Sequence, residues 1–413
     1  MSFRTALSGL NAAQTDLNVT GNNIANANTN GFKESRAEFA SVYASSFQGV
    51  GSVTPGSGAK VSNIAQQFTQ GNVDFTNNNF DLAINGEGFF ALDDNGSKLY
   101  SRAGAFKVDR EGYVVNNQSN RLQVFPATIT GTTTTFNTGS LTDLRLNTSD
   151  AAPLATGSAT VNLNLNSSET EILATTIDPA DAGTYHHSTS MVIYDSLGNT
   201  HTATMYFQKT DDATNAWDMA VHLDGDAAPL STTSLTFDGA GVMTAPTVPS
   251  LGEVSFTGIP LTNGAADLDF TFDLSSTTQF GSPFGVNNLI QDGYASGRLN
   301  GVSVSAEGVV FASFTNGQSQ ALGQVAMAKF PNSQGLSKLG DTNWAESFGS
   351  GTATYGAAGS SDFGAIQSGA LEASNVDVAE QLVNMIVAQR NFQANAKTIS
   401  TEDTITQAII NIR

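Results

Sequence analysis

The chain contains no cysteine, which excludes a disulfide framework and any metal or redox site built on thiolates. Charge is scarce and one-sided: 13% of residues are charged, with 17 Lys and Arg against 37 Asp and Glu, a net charge of −20. No basic cluster occurs, which argues against nucleic acid and anionic membrane surfaces, since both need grouped Lys and Arg. No apolar run approaches the length of a membrane span, so membrane insertion is not expected. The N-terminus lacks the charged, apolar and small-residue regions of a cleavable secretory signal. These absences fit a cytoplasmic protein, and equally a chain exported unfolded by a route that reads no cleavable signal.

Catalytic patterns are missing too. There is no phosphate loop, no G-x-S-x-G elbow and no carboxylate pair in a recognisable setting. The histidines are His186, His187, His201 and His222; the adjacent pair would point to opposite faces of a strand and make a poor metal site. "LDDNGSK" starts like a calcium loop but lacks the alternating ligands and distal Glu, and reads better as a turn. The expectation is a non-enzyme with no metal and no cofactor.

What is present is Ser, Thr, Asn and Gly in quantity, with 39% hydrophobic residues over 413 positions. That length allows two to four domains, and that polarity suits short strands and tight turns. Both ends read as amphipathic helices. Phe3, Leu7, Leu10, Gln14, Leu17, Gly21 and Ile24 recur in steps of four and three, as do Val378, Leu382, Met385, Gln389, Phe392, Ala396 and Ile399. Ser374 and Asp377 suggest a capping box for the second helix, and Asp377 and Glu380 suit its dipole. With no Pro or Gly after Ser374 it could reach about 55 Å.

The C-terminal helix carries a second stripe on nearly its opposite side: Val383, Val387, Ala394, Ile405, Ile409 and Ile412. One N-terminal helix covers only one stripe. The other is buried either under the strand-rich middle or by neighbouring copies of the chain.

The middle is β-rich. "FDLAINGEGFFAL" and "LDDNGSKLYSRAGAF" suggest hairpin turns at Asn85-Gly86 and Asn95-Gly96, and "KVDREGYVV" one around Gly112. Further turns are expected at Asn300-Gly301 and Asn316-Gly317. Thr/Ser/Gly/Ala-rich stretches after residue 127 and "SSTTQFGSPFG" bracket the strands "STSMVIYDSLGNTHTATMYFQK", "AWDMAVHL", "SLTFDGAGVM" and "LDFTFDLS". The expected fold class is α+β, mainly β, with paired terminal helices and two β-rich domains, one inserted in the other. The expected division is a terminal helical core (1–27 and 374–413), connecting segments (28–72 and 363–373), a first β domain (73–145 and 284–362) and an inserted outer β domain (146–283).

Several of these segments resemble the bacterial flagellar rod and hook axial proteins. "SGLNAAQTDLNVTGNNIANANTNGFK" is similar to the family's Asn-rich N-terminal signature. "DLAINGEGFF" and "YSRAGAFKVDREGYVV" resemble its internal hairpins, and "GALEASNVDVAEQLVNMIVAQRNFQANAKTIS" its C-terminal signature. Length, the insertion, "VIYDSLGNTHTATMYFQK" and "QDGYASGRLNGVSVSAEGVVFASFTNGQSQALGQVAMAKFPNSQGL" point to the hook members.

The resemblance implies a homopolymeric tube, the flexible joint carrying torque from rod to filament, with terminal helices lining its channel. It implies export through the flagellar type III apparatus without a cleaved signal. It also implies placement at the hook and basal body on the cell surface, with rod, hook–filament junction and hook cap proteins as partners. Two other readings share part of the pattern: a distal rod or other axial protein, and a β-rich surface adhesin.

The expected assembly residues are Phe3, Leu7, Leu10, Leu17 and Ile24 on the first helix, and Val378, Leu382, Met385, Phe392, Ile399, Val383, Val387, Ile405 and Ile409 on the second. Asn26 to Gly31 are expected to end the first helix, for which Asn30-Gly31 suffices as a plain terminator. Asn22, Asn23 and Asn26 still lie within helical reach, and are expected to hydrogen-bond across a subunit interface or to line a wet channel. Both termini are expected to be disordered in the monomer and helical in the polymer.

Overall fold

The computed structural model describes residues 2–42, 56–130, 133–147, 149–173, 176–360 and 362–411. The fold is mainly β with a long helix at each end, and divides into two units. The first comprises Met1–Asn147, Gly301–Ser313 and Ser319–Arg413, and the second Thr148–Asn300 with Phe314–Gln318. No helix among the described residues is long and apolar enough to cross a membrane.

In the first unit, helix α1 (Ser2–Ala25) packs against helix α2 (Val378–Asn411). Asn23 of α1 meets Gln381 of α2, and Gly9 meets Asn395. Equal steps in opposite directions make the pair antiparallel. Its seam differs from the expected apolar faces. Buried positions are Ala6, Ala13, Thr20 and Asn23 on α1, and Gln381 and Ala388 on α2, repeating at the seven-residue spacing of a coiled coil. Small side chains let the backbones approach, so the longer apolar ones are displaced to the flanks. Phe3, Leu7, Val378 and Leu382 stand exposed, and Leu10, Leu17, Ile24, Met385, Phe392 and Ile399 are half-buried.

The cap of α2 also lies three residues later than the Ser374-Asp377 pattern suggested. Asp377 is the N-cap: its Oδ1 accepts from the backbone N–H of Ala379 (2.8 Å) and Glu380 (3.2 Å). Ser374 Oγ only accepts from Val376 N, at 3.3 Å.

The β body of this unit orders its strands Leu299–Val304, Val309–Phe314, Ser319–Lys329, Arg121–Thr130, Phe89–Asp94, Ser97–Ser101, Asn343–Ala345 and Ser337–Gly340. Phe90, Leu92, Leu122, Val325 and Ile366 fill one core, and Phe89, Tyr100, Phe330 and Trp344 another. The Asn95-Gly96 turn forms, with φ of 50° and 96°, and joins Phe89–Asp94 to Ser97–Ser101. Turns also form at Gly112 and Asn316-Gly317. Two expected hairpin turns do not. The strand before Asn85-Gly86, Leu82–Asn85, pairs with Ala365–Ser368 instead of the strand that follows it, and Asn300-Gly301 lies inside Leu299–Val304. At Asn85 the distant strand Ala365–Ser368 overrides the local Asn-Gly preference, whereas Leu299–Val304 runs straight through Asn300-Gly301 and pairs with the next strand, Val309–Phe314.

The second unit is two five-stranded sheets over a shared core. One is a meander of His187–Tyr194, Thr200–Asp211, Ala216–Leu223, Ser231–Phe237 and Met243–Ala245. The other is built around Ser158–Asn166, flanked by Leu268–Asp273, Thr278–Phe280 and Gly285–Gln291, with Glu253–Ile259 at one edge. Alternate residues face inward, so Val161, Leu163 and Phe272 meet Phe207, Trp217 and Met219.

Candidate assembly site

The chain leaves α1 through a turn whose last residue, Gly31, has φ of +70°. A Cβ there would lie 2.4 Å from Ala103 N, so glycine is required by both dihedral and space. Gly31 N–H donates to Glu372 O (2.8 Å), which stitches the exit of α1 to the segment entering α2.

Two residues on, Lys33 turns inward. Its Nζ lies 2.6 Å from Glu372 Oε1 and donates to Thr69 O at 2.7 Å. Gly71 N–H donates to the same carboxylate oxygen (2.9 Å), and Arg102 Nη1 lies 3.3 Å from Oε2. Arg102 Nη2 donates to Gly86 O at 2.9 Å. The carboxylate is therefore the meeting point of four chain segments, with Lys33, Arg102 and Glu372 buried and Gly71 half-buried. Two cations share one anion. Burial pushes the Lys33 ammonium down from its ordinary value against the pull of Glu372, and does the same to Arg102.

A layer of amides continues this clasp toward the helices. Asn375 Oδ1 accepts from Glu34 N (2.8 Å), and its Nδ2 donates to Gln67 O (2.8 Å) and Thr69 Oγ1 (2.9 Å). Gln381 Nε2 donates to Glu34 Oε1 at 2.9 Å, and burial raises the Glu34 carboxyl above its usual range.

Asn23 belongs to this layer within the single chain. Its Nδ2 donates to Ser35 O (2.8 Å) and Gln381 Oε1 (3.1 Å), and its Oδ1 accepts from Ser35 N (2.9 Å). Both amide hydrogens are spent within the chain, so none remains for a neighbour. Asn26 is half-buried, donating to Asn22 O at 2.9 Å and accepting from Thr29 Oγ1 at 3.2 Å. Asn22 is exposed.

The second stripe of α2 stands in solvent and is not buried under the β body. Val383 is 59% exposed, Val387 50%, Ile405 52% and Ile409 65%, with Leu382, Ile386 and Ile410 beside them; Ile412 lies outside the described residues. The antiparallel register set by Asn23–Gln381 and Gly9–Asn395 places Ser2 opposite Glu402. Residues 403–411 therefore project about 13 Å beyond the start of α1.

Lys33, Arg102, Glu372 and Asn375 were not singled out from the sequence. A signal existed for two of them: Lys33 in "NGFK" and Glu372 in "GALEAS" are isolated charges in a chain that has few. Their pairing across 339 residues has no local signature.

Four family models match the chain in order. Residues 3–33 match the flagella basal body rod protein model and 83–166 the flagellar hook protein FlgE/F/G D1 domain. Residues 162–294 match the flagellar basal body protein FlaE D2 domain, and 367–412 the C-terminal model of flagellar basal body rod FlgEFG proteins. The flagellar hook protein FlgE of Salmonella typhimurium is 41% identical, with all of both chains covered, and that of Escherichia coli K12 39%, also over all of both. The Borreliella burgdorferi FlgE is 33% identical over all of this chain and 99% of its own. The crystal structure of Helicobacter pylori FlgE2 superposes with a TM-score of 0.54 at 14% identity, covering 72% of this chain and all of that one, a likeness of fold alone. On identity over its full length, the chain belongs to the flagellar hook protein family and is a structural subunit of the bacterial flagellar hook.

Proposed function

We propose that the chain polymerises into a tube through its terminal helices, with neighbouring copies covering the faces that α1 leaves bare. The observation that carries this is the solvent-exposed row Val383, Val387, Ile405 and Ile409 on a 34-residue helix packed against a single partner helix. Each of these side chains retains about half its surface, so covering it in a polymer would contribute about 1 kcal/mol apiece. The row is long and several copies would share it, so this burial adds to what the two helices, marginal alone, gain from their own hydrogen bonds and seam.

In that polymer residues 1–27 and 374–413 form the inner tube, and 28–72 with 363–373 connect it to the outer layers. Residues 73–145 with 284–362 form the first β layer and 146–283 the outermost. Asn22, exposed beside the α1 exit, is free to bond a neighbouring copy or to line a wet channel. The tube carries torque from rod to filament and meets rod, junction and cap proteins at its ends. Its subunits leave the cell unfolded through the flagellar export apparatus to reach the cell surface. Electron microscopy of the purified chain at high concentration tests this reading. Curved tubes are expected; short straight rods, or monomers that persist at all concentrations, would overturn it.

A further inference from the structure

One end of the second unit carries an ionic cluster that the assembly reading does not use. His201, at the start of strand Thr200–Asp211, has a carboxylate at each ring nitrogen: Asp224 Oδ2 lies 2.6 Å from Nδ1 and Asp195 Oδ2 lies 3.4 Å from Nε2. Asp195 is wholly buried. Its Oδ1 accepts from the N–H groups of Leu197 (2.9 Å) and Asn199 (2.8 Å), and its Oδ2 from the amides of Asn199 (2.9 Å) and Asn263 (2.6 Å). Asp224 Oδ1 accepts from Thr202 N at 2.7 Å.

Three turns meet here. Asp195–Asn199 joins His187–Tyr194 to Thr200–Asp211, and Asp224 begins the turn after Ala216–Leu223. Asn263 lies in the turn between Glu253–Ile259 and Leu268–Asp273, in the opposite sheet. A second bond, Ala266 N–H to Ser196 Oγ (2.9 Å), ties the first turn to the third. The cluster therefore pins one end of both sheets together.

A carboxylate that accepts as many donors as Asp195 does is ionised and offers no proton. A neutral imidazole has one N–H and satisfies one of the two; only an imidazolium donates to both. We propose that the imidazolium form of His201 locks this end of the second unit, and that loss of its proton as pH rises unlocks it. Removing the proton leaves two carboxylates around a neutral ring, one of them without its charge-assisted bond.

The charge balance supports the same direction. Burial pushes the His201 imidazolium down, but Asp224 and Asp195 outweigh burial and raise it above its ordinary value. Asp195 and Asp224 are the groups that face it; Asp267 and Asp269, on the third turn and its strand, make no ion pair with it. A group raised in the folded state contributes stability that is full below its unfolded value and is lost as pH rises through the folded one.

The test uses the full chain, kept dilute and carrying 13C-labelled histidine, with ring signals followed against pH. His201 should titrate above 6.5, the ordinary value, and Asp224→Asn should lower its midpoint by about one unit. Across that midpoint, exchange of the Leu197, Asn199, Thr202 and Ala266 amides should rise about tenfold beyond intrinsic base catalysis. His201→Gln should show the faster exchange at every pH, without a step. Should that variant fail to fold, the wild-type titration and Asp224→Asn decide the matter. A His201 midpoint at or below 6.5, or turn amides with no step across it, would overturn the proposal.

Discussion

Lys33 and Glu372, 339 positions apart in sequence, form a fully buried ion pair with Nζ and Oε1 at 2.6 Å. One sits just after the exit of α1 and the other just before the entry of α2, so the pair closes the base of the helical hairpin onto the β body. Arg102, from that body, shares the carboxylate.

Glu372→Gln leaves two buried cations facing a neutral amide. The expected cost is about 3–5 kcal/mol, measured as a fall in the urea midpoint of the full chain. Adding Lys33→Met should recover part of that loss, because the two residues act as one unit. Additive losses would show that the pair is not coupled.

Asp377→Ala removes the acceptor for two N–H groups at the start of α2. It should destabilise the helix by about 1 kcal/mol, seen as a lower temperature for loss of helical circular dichroism in assembled material. Ser374→Ala should change it by less than about 0.5 kcal/mol. The reverse order would restore the earlier cap position.

Asp195 sets the acid limb of the second unit. Burial pushes its carboxyl up, but hydrogen bonds from Asn199, Asn263 and Leu197 outweigh burial and hold it well below the usual carboxylate range. A depressed folded value contributes stability that is present above the unfolded value of 3.8 and lost as pH falls through the folded one. Thermal melts should show this unit weakening steadily below about pH 4, and Asp195→Asn should be less stable at neutral pH with a flatter acid limb. An unchanged acid slope in the variant would remove Asp195 from that role.

Val383→Asp with Val387→Asp alters only exposed positions of the single chain. The urea midpoint of the β units should stay unchanged, while the critical concentration for polymerisation rises roughly 30-fold, equivalent to about 2 kcal/mol per subunit. Unaltered polymerisation would show that this stripe faces solvent in the assembly.

Much of the fold could be read from sequence because its signals are local. Helical periodicity at both ends, the Asn95-Gly96 turn and the alternation of "AWDMAVHL" each depend on neighbours within a few residues. The central strand Ser158–Asn166 was hidden in a Thr/Ala/Asn-rich stretch, because Val161, Leu163 and Leu165 alternate with polar residues just past a linker-like run. The helix seam was misplaced for a different reason. Periodicity finds the largest side chains, whereas Ala6, Ala13 and Ala388 are buried because they are small. Asn23 read as a surface group, since its partners Ser35 and Gln381 come together only in the folded chain.

The central claim, that assembly covers and orders the terminal helices, is tested most directly by amide hydrogen exchange. Residues 2–25 and 378–411 would be followed in the dilute monomer and in the polymer, with the β body as internal reference. The account predicts fast exchange of both helices in the monomer and strong protection in the polymer, while the β body is protected in both. Helices equally protected in monomer and polymer would contradict it.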